Sequence, residues 1–169
     1  MPSKDRYFLG FDCSSKMIHM VQLDAFTDEI VRMESWKNNS KDMDQRINET
    51  LAAFEGWYDS HMGRDCHSHL GERFMAFIEN PIYVQNVKAT IGISSMIAGV
   101  KHFIYQQGIN CFGMDNRSWK KDIVGNGKAS KEEIMRFAEA KWGKGKFPEQ
   151  DFADAACIAL WGRIRFGRN

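Results

Sequence analysis

Residues 7–23 read YFLGFDCSSKMIHMVQL. The first seven are apolar almost without interruption, which is the pattern of a strand covered on both faces rather than one lying on a surface. Ser14, Ser15 and Lys16 then give a short polar link, and residues 17–23 return as a second strand, so the stretch reads as a hairpin. In that second run Ile18, Met20 and Gln22 alternate with Met17, His19, Val21 and Leu23. Residues 29–36 (EIVRMESW) supply a third strand and complete an antiparallel meander. One residue is out of place in the first strand: Asp12, a carboxylate at the end of a buried run.

Downstream the period changes. Met43, Ile47, Leu51 and Phe54 recur at helical spacing over residues 42–61, with Ser40 as the expected N-cap. Residues 63–71 (GRDCHSHLG) read as a polar loop. Residues 73–79 (RFMAFIE) form another apolar strand that ends on an acid, Glu79, before Pro81. Residues 86–107 suit a helix closed by Gly108, and its Gly92, Ser94, Ser95, Ala98 and Gly99 allow close approach of another element or a second copy. Residues 109–114 make a fifth strand. Ser130 and Glu133 form a capping box that opens a helix to about residue 142, and a last helix spans about 149–165. The order β-β-β-α-β-α-β-α-α predicts an α/β fold, with a mixed five-stranded sheet flanked by helices.

With 169 residues, 43% hydrophobic, the chain is expected to be one domain over 1–169 with a full core. The net charge of +1 hides a split. Residues 1–116 carry 11 Lys+Arg against 15 Asp+Glu, and residues 117–169 carry 12 against 7. A basic C-terminal third suits an anionic partner such as nucleic acid. The four cysteines form no CxxC pair and suit reduced thiols. No apolar run approaches a membrane span, and a strand begins almost at the N-terminus, so a cytoplasmic protein without a targeting segment is expected.

The last helix raises the same problem as Asp12. QDFADAAC (150–157) sets Asp151 and Asp154 three apart, on one helix face, among small apolar residues. If the first and fourth strands are neighbours, Asp12 and Glu79 lie side by side, and a helix crossing them brings four carboxylates together. Such a cluster has raised pKa values and attracts hard divalent cations, Mg²⁺ or Mn²⁺ rather than zinc. Two ions roughly 3.5–4 Å apart clamp a phosphodiester between attacking water and leaving oxygen. Bland readings stand beside this one. A strand Asp often sits at an edge, and a DxxD is often a solvated face or a first helical turn favoured by the dipole.

Taken together, FLGFDCSS (8–15), FIENP (77–81), WKKDIVGNGKASKEEI (119–134) and DFADAACIAL (151–160) resemble, in order and spacing, the RuvC-type Holliday junction resolvases of the ribonuclease H-like superfamily. The resemblance covers nearly the whole chain and implies a single RuvC-like nuclease domain on a ribonuclease H-like sheet. It implies metal binding by Asp12, Glu79, Asp151 and Asp154, and places Lys120 and Lys131 near the scissile phosphate as catalytic residues. It further implies a homodimer, a two-metal site with Mg²⁺ or Mn²⁺, and paired hydrolysis of four-way and other branched DNA, with no nucleotide cofactor. Departures at Cys13-Ser14-Ser15-Lys16 and Asn80-Pro81 look more like a phage-encoded branch acting in a bacterial cytoplasm.

Lys120, Lys121, Lys128 and Lys131 are the expected DNA-phosphate contacts, and the C-terminal Arg163, Arg165 and Arg168 either join them or simply solubilise the end of a helix. Trp119 is a candidate to stack on an unpaired base, or else a core or interface residue. His61, Cys66, His67 and His69 match no standard zinc arrangement, and a solvated loop or DNA backbone contact fits them better. The alternative functions are a ribonuclease H-like enzyme acting on RNA or RNA–DNA hybrids, and a non-catalytic junction-binding protein.

Overall fold

The computed structural model describes residues 6–62, 70–81 and 85–167. Strands β1 (Tyr7–Cys13), β2 (Met17–Asp24) and β3 (Ile30–Lys37) form the meander. Helices α1 (Met43–His61) and α2 (Leu70–Arg73) lead to β4 (Phe74–Glu79). Helix α3 (Val87–Gln106) leads to β5 (Asn110–Met114), and α4 (Asn116–Val124), α5 (Lys131–Trp142) and α6 (Gln150–Phe166) follow. The sheet order is β3-β2-β1-β4-β5, antiparallel across the first three strands and parallel where β4 joins β1 and β5. The mixed five-stranded sheet expected from the sequence is present. No helix among the described residues is long and apolar enough to cross a membrane.

The continuous apolar run of β1 has a direct cause: it is the central strand, and both of its faces are covered. Leu9 and Phe11 point into one core, with Ile18, Met20, Phe54, Tyr58 and Val100, under α1 and α3. Phe8 points into the other, with Val21, Leu23, Phe77, Trp119 and the alanines of α6. Side chains alternate along a strand. Residues 8, 10 and 12 of β1, 19, 21 and 23 of β2, and 77 and 79 of β4 therefore share the face that α6 covers. Asp12, His19 and Glu79 are the polar ends of otherwise apolar rows on that face.

Helix α6 is apolar around most of its circumference, with buried Phe152, Ala153, Ala155, Ala156, Cys157, Ile158, Ala159 and Leu160. Such a helix lies inside a fold rather than on it. It lies very close to the sheet. A Cβ at Gly10 would stand 2.0 Å from the Ala155 carbonyl oxygen and 2.6 Å from the Ala159 nitrogen. A Cβ at Gly162 would collide with the Phe77 ring at 2.3 Å. Gly10, Ala155 and Ala159 thus bring backbone nearly onto backbone, and Gly162 makes room for the Phe77 ring.

Several expectations are corrected in detail. The N-cap of α1 is Asp42, which accepts from the Gln45 nitrogen at 2.8 Å, while Ser40 sits in the preceding turn and receives the Asp42 nitrogen. Helix α2 begins inside the expected 63–71 loop. Helix α4 was not anticipated: it is nine residues long and mostly polar, with Trp119 buried and Ile123 and Val124 packed on the same core. Gly108, with φ 74°, follows the cap residue Gln107 instead of being the cap. Gly92 and Gly99 pack inside the chain, on Ser15 and Met43 and on Leu51. The capping box at Ser130 and Glu133 is present as expected. Of the His61/Cys66/His67/His69 group, residues 66–69 lie outside the described residues; His61 ends α1, stacked on Trp57 at 5.0 Å.

Substituting Gly10 by Ala should push α6 off the sheet and lower stability by about 1–3 kcal/mol in urea denaturation, the usual range for overpacking. Gly56→Ala is the control, because its Cβ would meet nothing within 4 Å. On the exposed face of α1 it should instead stabilise by up to about 1 kcal/mol through helix propensity.

Candidate active site

Strands β1 and β4 run parallel, and their last register pair is Phe11 with Ile78. The next residue on each is an acid, Asp12 and Glu79, so the two carboxylates leave neighbouring strand ends on the same face. Helix α6 starts above them. One carboxylate oxygen each from Asp12, Asp151 and Asp154 lie within 4.8 Å of one another. Glu79 lines the same cleft but is not within that group. The cleft is about 310 Å³, and Ser14, His19, Asn116, Lys120 and Lys131 also line it.

Crowding shows in the proton affinities. The Asp12 carboxyl is held well above the ordinary carboxylate range, first by burial and then by Asp154, Asp151 and Glu79, with Lys131 pulling the other way. Asp154 is raised to about 6, chiefly by burial, while the Gln150 amide and Lys120 oppose the shift. Gln150 Nε2 donates to Asp154 Oδ1 at 3.3 Å. Lys131 Nζ is 3.7 Å from Asp151 Oδ1 and largely exposed. Three hard oxygen donors at this spacing, with Asp12 half-buried among like charges, fit a divalent cation of the Mg²⁺ or Mn²⁺ type.

Glu79 is fixed from the other side. Asn116 Nδ2 donates to its Oε1 at 2.6 Å, and Trp119 Nε1 donates to its Oε2 at 2.8 Å. Of the two readings of Trp119 the core one holds, because the ring is fully buried and cannot stack on a base. Asn116 and His19 were both missed. His19 is directly opposite Asp12 in the β1–β2 register, so the hairpin would have revealed it. Its ring is buried, lies 3.1 Å from Glu149 Oε2 and 3.9 Å from Asp151 Oδ2, and packs edge-on against Phe152. It ties β2 to the start of α6. Asn116 was missed with its helix, whose signals are the Asp115 N-cap, the Trp119–Ile123 spacing and the left-handed Gly125 at its end.

Arg163 and Arg165 stand away from the cleft. They lie three turns along α6 from the acids, and both are engaged within the chain. Arg163 Nε is 2.8 Å from Asp28 Oδ1, and Arg165 pairs with Asp122 and stacks on Trp161. Lys121 and Lys128 are exposed, on α4 and in the α4–α5 link.

No family model matches the chain. It is similar to a crossover junction endodeoxyribonuclease RuvC of Synechocystis sp., 31% identical over 86 residues, a segment that is 50% of this chain and 51% of that protein. The match thus spans about half the length of that relative. Among solved structures it is similar to Thermus thermophilus RuvC in complex with a Holliday junction substrate, with a TM-score of 0.73 and 14% identity, covering 95% of this chain and 94% of the other. A second Thermus thermophilus RuvC structure aligns with a TM-score of 0.69, 15% identity and coverage of 94% and 95%. The chain has the RuvC fold. That likeness runs through the whole ribonuclease H-like sheet and its flanking helices, from the meander to α6.

The Asp154 shift gives a pH prediction. Its carboxyl binds a proton more tightly in the folded protein, near pH 6, than at its ordinary value of 3.8. This group therefore favours folding at low pH, and its contribution is lost as pH rises through about 6. Cation-free protein should lose stability between roughly pH 4 and 7 from this source. Asp154→Asn should remove that slope and raise cation-free stability at pH 7.5 by on the order of 1–3 kcal/mol. Chemical denaturation of both proteins in chelator across this pH range is the check; identical slopes would contradict the assignment.

Proposed function

We propose that this chain is a divalent-cation-dependent endonuclease that cuts four-way DNA junctions, and other branched DNA, by paired phosphodiester hydrolysis. The observation that carries this reading is the group of Asp12, Asp151 and Asp154 beneath an open cleft with Glu79 across it. The likeness to RuvC supports it independently. Asp12, Glu79, Asp151 and Asp154 would hold two Mg²⁺ or Mn²⁺ ions, which when bound would activate water and stabilise the leaving oxygen.

The remaining chemistry belongs to the chain. Lys120 and Lys131 stand at the cleft and offset phosphate charge as it builds in the transition state. Lys121 and Lys128, exposed nearby in sequence, hold the DNA backbone electrostatically. Symmetric nicking of a junction needs two such sites, and therefore a second copy of the chain. Helix α3 offers a face for it: Val87, Ile91 and Tyr105 are large, apolar and exposed, and Ser95 and Ala98 between them are small and exposed. The spacing keeps these residues on one side of the helix. A phage-encoded enzyme working in a bacterial cytoplasm fits the departures after Asp12 and Glu79.

Labelled four-way, three-way and flap DNAs, with an RNA–DNA hybrid in parallel, test the reading in Mg²⁺, Mn²⁺ and chelator. Branched DNA should be cut in the presence of either ion only, and binding should weaken steeply with salt. Cleavage confined to the hybrid would overturn it. Asp154→Asn should bind a four-way junction nearly as well as wild type and not cut it. Lys131→Ala should slow cleavage by about 10²–10³-fold, the range for removing one transition-state charge partner, with a much smaller loss of binding. Equal losses would reduce Lys131 to an ordinary phosphate contact.

A further inference from the structure

Glu79 stands apart from the other three acids. Asp12, Asp151 and Asp154 approach one another within 4.8 Å, whereas both oxygens of Glu79 are taken up by one helix, α4. Asn116 supplies an amide N–H at 2.6 Å and Trp119 an indole N–H at 2.8 Å. An ionised carboxylate has about four lone-pair sites, so each oxygen keeps one free for a cation after accepting one hydrogen bond. The two donors act from different points of α4 on different oxygens. Together they fix the carboxylate's position and the rotation of its plane.

The donors are themselves held. Trp119 is fully buried, in the core cluster that includes Phe77 and the α6 alanines, so its N–H cannot swing away. Asn116 is the first residue of α4, whose entry is set by Asp115 accepting from the Ser118 nitrogen at 3.1 Å. The Asn80 nitrogen donates to the Met114 carbonyl at 2.8 Å, which ties the end of β4, just past Glu79, to the end of β5, just before α4. The same helix carries Lys120 into the cleft. One rigid element thus sets both an acid and a base of the site.

We propose that Asn116 and Trp119 are positioning residues for cation binding: they hold Glu79 across the cleft, where it completes a cation position that the three aspartates alone do not. This rests on the cation-dependent reading given above. Two cations then bind unequally. One depends on the aspartates, and the other depends on Glu79 and hence on α4.

Calorimetric titration of the full chain with Mn²⁺, without DNA, tests this. Wild type should bind in two steps, and Glu79→Gln should abolish the weaker. Asn116→Ala and Trp119→Phe, the latter keeping an aromatic ring in the core, should weaken that step about 10–100-fold, the usual effect of removing an outer partner of a ligand. The tighter step should stay within about twofold. Trp119 emission, taken as the difference between wild type and Trp119→Phe, should shift on adding Mg²⁺ and should not shift in a Glu79→Gln background. Wild-type titrations from both α4 variants would overturn the positioning role. So would equal weakening of both steps with a lowered melting temperature, which marks general packing damage. If wild type and Asp154→Asn both show no Mn²⁺ binding, the cation site itself is wrong and the positioning role falls with it.

Discussion

The contact between α6 and β1 at Gly10 is the constraint on which the site depends. Aspartate is short, and it can share a cation with a strand residue only if helix and strand nearly touch. At Gly10 a single Cβ would stand 2.0 Å from the α6 backbone, so the absent side chain is what permits the approach. Ala155 and Ala159 keep the helix side equally thin. Asp12 lies two residues beyond Gly10 on the same face, and Asp154 lies one residue before Ala155. The close packing and the acid cluster are two consequences of one local geometry.

That geometry sets packing against electrostatics. The α6 face of the sheet is apolar for most of its length, and its polar end concentrates carboxylates in a partly dehydrated cleft. Burial and mutual repulsion raise Asp12 and Asp154 together. Lys131 and Lys120 offset part of this, from the rim. The fold therefore keeps an arrangement that costs stability while the carboxylates are uncompensated and that bound cations would relieve, a trade common at functional sites. His19 and Glu149 on one side, and Asn116 and Trp119 on the other, brace the acids against their own repulsion.

The sheet was legible because its signals are hydrophobic. The unbroken apolar run of residues 7–13 could only be a strand covered twice, and the three-residue polar link after it forced a hairpin. The adjacency of Asp12 and Glu79 rested on the further condition that the first and fourth strands are neighbours, which the sheet order meets, and QDFADAAC could then be set against them. What escaped was written in single residues. Helix α4 is only nine residues long, with Trp119, Ile123 and Val124 as its apolar side, so Asn116 and the bond from Trp119 to Glu79 were not read from the sequence. A tryptophan beside two lysines suggests base stacking, yet its indole N–H serves the half-buried carboxylate of Glu79. Arg163 and Arg165 suggested phosphate contact because charge is visible in a sequence, while their partners Asp28 and Asp122, 135 and 43 positions away, are not.

The central claim is that these carboxylates are a cation site built by the approach of α6 to β1 and β4. Anomalous diffraction from crystals grown with Mn²⁺ tests it most directly. The account predicts anomalous peaks bonded to carboxylate oxygens of Asp12, Glu79, Asp151 and Asp154, present in wild type and lost or depleted in Asp154→Asn. Ordered Mn²⁺ elsewhere with none at these four residues would contradict it.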